Sequence, residues 1–87
     1  MRKTPRQARA RRRVETLVDA TAIEIARRGL AETTTNHVAA RAGVSIGSLY
    51  QYFEDKDDLV IAVIESLSAE IIDAVDTAFA DVIAADT

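Results

Sequence analysis

The 87 residues include no cysteine, no tryptophan, one proline, one histidine, three glycines, two tyrosines and two phenylalanines. Without cysteine there are no disulfides, thiolate nucleophiles or cysteine-based metal sites, a composition that fits a reducing compartment. His37 has no second nitrogen or sulfur ligand to complete a zinc site, so it reads as an exposed helix residue. Scarce glycine and proline beside 48% apolar residues point to an all-helical architecture. No apolar run approaches the roughly 20 residues of a membrane helix, and the arginine-rich amino end lacks a signal peptide's apolar segment. The expectation is one small cytoplasmic domain with no membrane partner. A glycine-rich phosphate loop is also absent, as is any nucleophile-base pair, so neither an enzyme nor a cofactor is expected.

Positive charge is missing from the whole distal part of the chain. Residues 1–56 hold all 11 basic side chains and 6 acidic ones, whereas residues 57–87 hold 8 acidic side chains and no basic one, which hides a strong polarity behind a net charge of −3. Such a chain turns one pole toward a polyanion and the other away from it. The distal carboxylates fall at helical spacing with no basic partner among them, which reads as a solvated helix face.

What is present is ordered along the chain. Arg2, Lys3, Arg6, Arg9, Arg11, Arg12 and Arg13 form an acid-free arm over residues 1–13. Thr4 as N-cap, Pro5 at the first helical position and Gln7 reaching back would start a helix there, but the neighbouring charges repel. The expectation is a mobile arm that becomes helical on meeting phosphate, with a solvated tail as the competing reading. From Val14, the apolar spacing of Val14, Leu17, Val18, Thr21, Ala22 and Ile25 predicts an amphipathic helix that Arg28-Gly29 ends. Among Thr33-Thr34-Thr35, Thr34 is the expected N-cap of a second helix running to about Ala42, with Val38, Ala39 and Ala42 inward. Gly43 permits a tight turn, Val44 plugs the core and Ser45 caps a third helix, Ile46 to Phe53.

Successive side chains step by about 100° around a helix, so Leu49 and Phe53 share the core face of the third helix. Gln51, Gly47 and Ser48 then lie opposite, with Tyr50 and Tyr52 on the flanks. That is the layout of a helix laid in a major groove: short polar groups at the bottom, hydroxyl-tipped aromatics toward the phosphate walls, and a small residue where backbones meet. The tyrosines taken alone would read as partly buried aromatics with wet hydroxyls. Gly47 otherwise costs about 1 kcal/mol against alanine. Asp55 caps the fourth helix, with Asp58 closing a carboxylate capping box, and Lys56 among these acids is better explained by a phosphate contact. Arg41 either contacts phosphate or favours the carboxy end of its helix. Beyond Lys56 an apolar seam, Val60, Ile64, Leu67, Ile71, Val75, Ala78 and Val82, runs in near-heptad steps that a lone helix cannot cover.

Taken jointly, Gly29, Thr33-Thr34, Val38-Ala39, Ala42-Gly43-Val44-Ser45, Gly47, Leu49-Tyr50, Tyr52-Phe53, Lys56, Leu59 and Ala62 are similar to the amino-terminal DNA-binding domain of the TetR (tetracycline repressor) family, over Val14 to about Leu67. The resemblance implies base contacts from Asn36, Ile46, Gly47, Ser48 and Gln51. It also implies phosphate contacts from Thr34, Thr35, Ser45, Tyr50, Tyr52 and Lys56. Position 46, often lysine in the family, is isoleucine here, which favours apolar contact with a thymine methyl over a phosphate or guanine contact. Family members carry a larger carboxy-terminal domain that binds small effectors and dimerises, so a truncated chain is expected.

The resulting expectation is an all-α fold: a three-helix, homeodomain-like helix-turn-helix domain over 14–56, then a long connecting helix over 57–87. Its partner is double-stranded DNA, met as a homodimer at a palindromic operator, with Gln51 reading adenine and a small-molecule effector acting only on the full-length protein. The alternative is a helix-mediated protein-protein interaction module built on the distal seam.

Overall fold

Proline at the first helical position is preorganised in φ and forgoes no hydrogen bond, and Pro5 lies within the basic amino-terminal stretch of the chain. In the computed structural model, which describes residues 5–86, the helices are α1 (Pro5–Arg28), α2 (Thr35–Ala42), α3 (Ile46–Tyr52) and α4 (Lys56–Asp86), with no strand among the described residues. α1 thus begins nine residues before Val14, and the expected mobile arm is helical from Pro5 onward. The physical reason is a balance of small energies. Alanine, glutamine and arginine are all strong helix formers, while like-charge neighbours on a solvated helix cost only about 0.2–0.5 kcal/mol per pair. The expected Thr4 cap, with Arg2 and Lys3, lies outside the described residues.

Local hydrogen bonds set each connection. α1 ends at Gly29, whose φ of 82° and N–H bond to the Ile25 carbonyl (2.8 Å) turn the chain out of the helix. Thr33 then folds the connection back on itself: its hydroxyl donates to the Gly29 carbonyl at 2.8 Å, and its side chain is buried. Thr34 caps α2 as expected, within a reciprocal box. The His37 N–H donates to Thr34 Oγ1 (3.1 Å), and the Thr34 N–H donates to His37 Nδ1 (3.2 Å). Gly43, at φ 73°, closes α2 while the Val44 N–H reaches the Ala39 carbonyl at 3.0 Å. Ser45 caps α3 by accepting from the Ser48 N–H at 3.0 Å. Phe53 is the extended C-cap residue of α3, one position past its last helical residue. At α4, Asp55 accepts from the Asp58 N–H (3.0 Å), but Asp58 returns to the Glu54 N–H (2.8 Å), one residue upstream of the expected box.

Leu17 and Ala20 of α1, Val38 and Ala39 of α2, Leu49 of α3 and Leu59 of α4 form one buried cluster, with Ala42, Val44, Tyr52 and Phe53 packed on its margin. Removing a side chain such as Leu17, Leu49 or Leu59 from water contributes roughly 1.5–3 kcal/mol. Burial along α1 departs from the apolar pattern: Ala20 and Glu24 are buried, while Val14, Val18, Ala22 and Ile25 are only half-buried. α4 commits Leu59 and Val63 to the core, and every described side chain from 64 to 85 is exposed. The distal seam is therefore bare, with Ile71 at 62% and Phe79 at 65% exposure.

Glu24 is 2% exposed yet charged, because two guanidiniums converge on it. Arg41 from the last turn of α2 bonds one carboxylate oxygen through Nε, and Arg28, one turn along α1, bonds the other at 2.7 Å. These two hydrogen bonds, Arg41's first, lower its pKa from 4.5 to about 2 against the opposing effect of desolvation. A carboxylate with a depressed folded-state pKa adds stability that is complete above its unfolded value and is lost as pH falls through the folded one. Thermal melts of wild type and Glu24→Gln should therefore differ most above about pH 4.5 and converge as pH approaches about 2. A constant difference across that window would show that the pair does not carry the effect.

Candidate nucleic-acid interface

Leu49 is fully buried and fixes the rotation of α3, so the rest of that helix is presented outward in a set order. Gly47 and Gln51 are exposed, Ile46 lies at 36% exposure, and Ser48 is half-buried. The Ser48 hydroxyl is engaged, accepting from Ser45 Oγ at 3.1 Å. Among the described residues the Gln51 amide has no hydrogen-bond partner, and neither does the exposed Asn36 side chain at the start of α2. Gly47 has ordinary helical geometry, and a Cβ placed on it would meet only Ser45 Oγ, at 3.9 Å. Among the described residues, nothing requires glycine at this position.

The expected flanking hydroxyls take unequal places. Tyr50 is 50% exposed, and its Oη lies 3.0 Å from Thr35 Oγ1, so α2 and α3 are joined across their outer edges by two hydroxyls that each keep further hydrogen-bonding capacity. Tyr52 leans onto the core margin and borders Arg9, Ala10 and Arg13 of α1. Thr34 and Ser45 both spend their side chains on capping, each hydroxyl accepting from a backbone N–H. Lys56 is half-buried, and its Nζ approaches the Ala31 carbonyl at 3.5 Å, a weak tether to the α1–α2 connection. Arg41 has a third role beside the two weighed for it: its Nε is held by Glu24.

The structure thus joins Thr35 of α2 to Tyr50 of α3, with Thr34, the N-cap, and Asn36 on either side of Thr35 in the chain. Neither α2 nor α3 has an acidic residue in its first turn, leaving both amino-terminal dipole ends unopposed by charge. Three roles escaped the sequence reading: that of Glu24, that of Thr33 in folding back on Gly29, and that of His37 in the cap. Glu24 and Arg28 sit at the four-residue spacing of a helical ion pair, and His37 sits three residues after its cap, so both left a local signal. The tie from Glu24 to Arg41 spans 17 residues and left none. Among the described residues no cluster of histidine, aspartate or glutamate could hold a metal ion. Among them, too, no helix is long and apolar enough to cross a membrane.

Comparison with known proteins bears on this geometry. Residues 17–63 match the family model of bacterial regulatory proteins, tetR family. The HTH-type transcriptional regulator BetI of Klebsiella pneumoniae is 39% identical over 59 residues, covering 68% of this chain and 30% of that protein. BetI of Escherichia coli matches with the same identity and coverage, 39% over 59 residues, 68% and 30%. Among solved structures, the fatty acid degradation regulator FadR from Bacillus halodurans superposes with a TM-score of 0.71 at 25% identity, over 88% of this chain and 37% of that one. The chain spans about a third of the length of these relatives. The matched segment runs from the buried Leu17 to the buried Val63 and so takes in the whole core and both helices of the outward surface; the chain belongs to the tetR family of bacterial regulatory proteins, which are DNA-binding transcriptional regulators.

Proposed function

We propose that α3 enters a major groove and that the chain is the DNA-binding region of a repressor, which occupies a palindromic operator as a homodimer and excludes polymerase. Two copies of α3 would then lie in successive major grooves, about 34 Å apart. The observation that carries this reading is Gly47. A helical glycine whose added Cβ would meet only Ser45 Oγ, at an ordinary 3.9 Å, has no purpose among the described residues, and close approach to another backbone supplies one. Gln51, Asn36, Ile46, Gly47 and Ser48 would face base edges. The Thr35–Tyr50 hydroxyl pair, Thr34, Ser45, Tyr52 and Lys56 would face phosphates, with Arg41 contributing only the edge of its guanidinium that Glu24 leaves free. A small-molecule effector would act through the part of the full-length protein that corresponds to the remaining two thirds of its relatives.

A second reading rests on the exposed distal seam of α4, from Ile64 to Ile83. It makes the chain a helix-mediated interaction module, and it is compatible with the first. Sedimentation of the chain alone and with duplex separates the two: dimers should appear at micromolar concentrations, and duplex should shift them to a heavier species. Self-association without any duplex-dependent shift would favour the interaction module.

Selection of duplexes from a random pool at two salt concentrations tests the main reading directly. The expected result is an enriched inverted repeat whose affinity falls steeply with salt. On the selected site, Gln51→Ala should relax preference at one base pair at a cost of about 1–3 kcal/mol, whereas Lys56→Ala should weaken all sequences alike and flatten the salt slope by about 0.9. An unchanged site ranking in the Gln51 variant would remove the base-reading role.

Gly47→Ala gives a test of opposite signs. Thermal stability should rise, by up to about 1 kcal/mol, because alanine is the better helix former. Affinity for the selected duplex should nevertheless drop. A variant that is more stable and binds as well as wild type would dispose of the close-approach argument.

A further inference from the structure

The helical extension of α1 carries positive charge that its own stability does not call for. Arg9, Arg12 and Arg13 stand at positions three and four apart, so at about 100° per residue they share one face, and Arg11 points away from it. All three are exposed. Together with Thr16 they line a cleft against Ala42, Gly43 and Val44, the turn between α2 and α3, and Arg9 and Arg13 also border Tyr52. Among the described residues none of the three guanidiniums has a carboxylate partner, while Arg28 and Arg41 are both held by Glu24. Three unpaired cations on one helix face repel one another in the free protein. A polyanion beside the helix-turn-helix turn converts that repulsion into attraction.

We infer that the Arg9, Arg12 and Arg13 face of α1 is a second, sequence-blind contact surface for the DNA phosphate backbone, placed beside the turn that leads into α3. This rests on the DNA-binding reading above and extends it to a helix outside the helix-turn-helix. Guanidinium is suited to the role because its planar donors match phosphate oxygens in pairs. The surface is already helical from Pro5, so contact does not have to order these residues first. Bordering the α2–α3 turn and Tyr52, and none of Ile46, Gly47, Ser48 and Gln51, the face adds affinity without reading bases.

The test compares wild type, the triple variant R9Q/R12Q/R13Q and the single variants R12Q and R11Q. Each is titrated with a duplex selected by the wild type and with a scrambled duplex of equal length, over a range of salt. Glutamine is a good helix former, so helix content by circular dichroism should be retained. The salt slope of the triple variant should be shallower by roughly 2 to 3, at about 0.9 for each phosphate no longer neutralised, with affinity for both duplexes at least about tenfold weaker. R12Q should lower the slope by about 0.9, the share of one phosphate, and R11Q should leave it unchanged. The ratio of selected to scrambled affinity should stay the same throughout. A wild-type slope in the triple variant, an R11Q effect equal to that of R12Q, or a changed ratio would each overturn the inference. A wild type that does not discriminate between the duplexes would instead refute the DNA-reading function itself.

Discussion

α3 has only seven residues, too few for a helix to persist in water, where isolated helices shorter than about 12–15 residues are marginal. Its existence and its rotation both depend on Leu49 packing with Leu17, Val38 and Leu59 from the other three helices. A single side chain therefore converts tertiary burial into a defined outward surface. Rotation of α3 by one residue position would swing Gln51 and Gly47 away together, so the same contact that stabilises the domain orients what it displays. The half-buried Phe53, extended at the C-cap, secures the other end.

Around that anchor, the described residues fix helix directions with short-range hydrogen bonds, the Thr35–Tyr50 hydroxyl contact and a long-range ion pair. Gly29, Thr33 and Thr34 define the path from α1 to α2, and Gly43 with Ser45 defines the path from α2 to α3. Each of these acts within a few residues. The Glu24–Arg41 contact instead ties the carboxy-terminal part of α1 to the far end of α2, next to the turn. Among the described residues no buried side-chain polar atom lacks a partner, so the polar groups that reach the interior reinforce the packing.

Features written in local chemistry are legible in the amino-acid sequence itself. Thr34, Gly43 and Ser45 each act through hydrogen bonds to neighbours three to five residues away, and the apolar steps of α1 and α2 mark Leu17, Val38 and Ala39 as core. Features decided by a balance of comparable energies are not. The arginine-rich start of α1 sets helix propensity against charge repulsion, and propensity prevails by small increments. The two tyrosines look equivalent on a helical wheel, yet Tyr52 is drawn onto the core margin near α1 and Tyr50 is not, because a wheel has no knowledge of neighbouring helices. The burial of Glu24 and its tie to Arg41 are not legible for the same reason. Its burial is tolerable only because Arg41 arrives from another helix, and no pattern along α1 announces that partner.

The histidine in the α2 capping box has an electronic consequence. Nδ1 of His37 accepts the Thr34 N–H, so it must offer a bare lone pair, and the ring hydrogen is confined to Nε2. The imidazole is thereby locked in one tautomer by the backbone it caps. Glutamine, whose amide oxygen also accepts, can replace it in that box without altering the cap; lysine, which has donors and no acceptor, cannot.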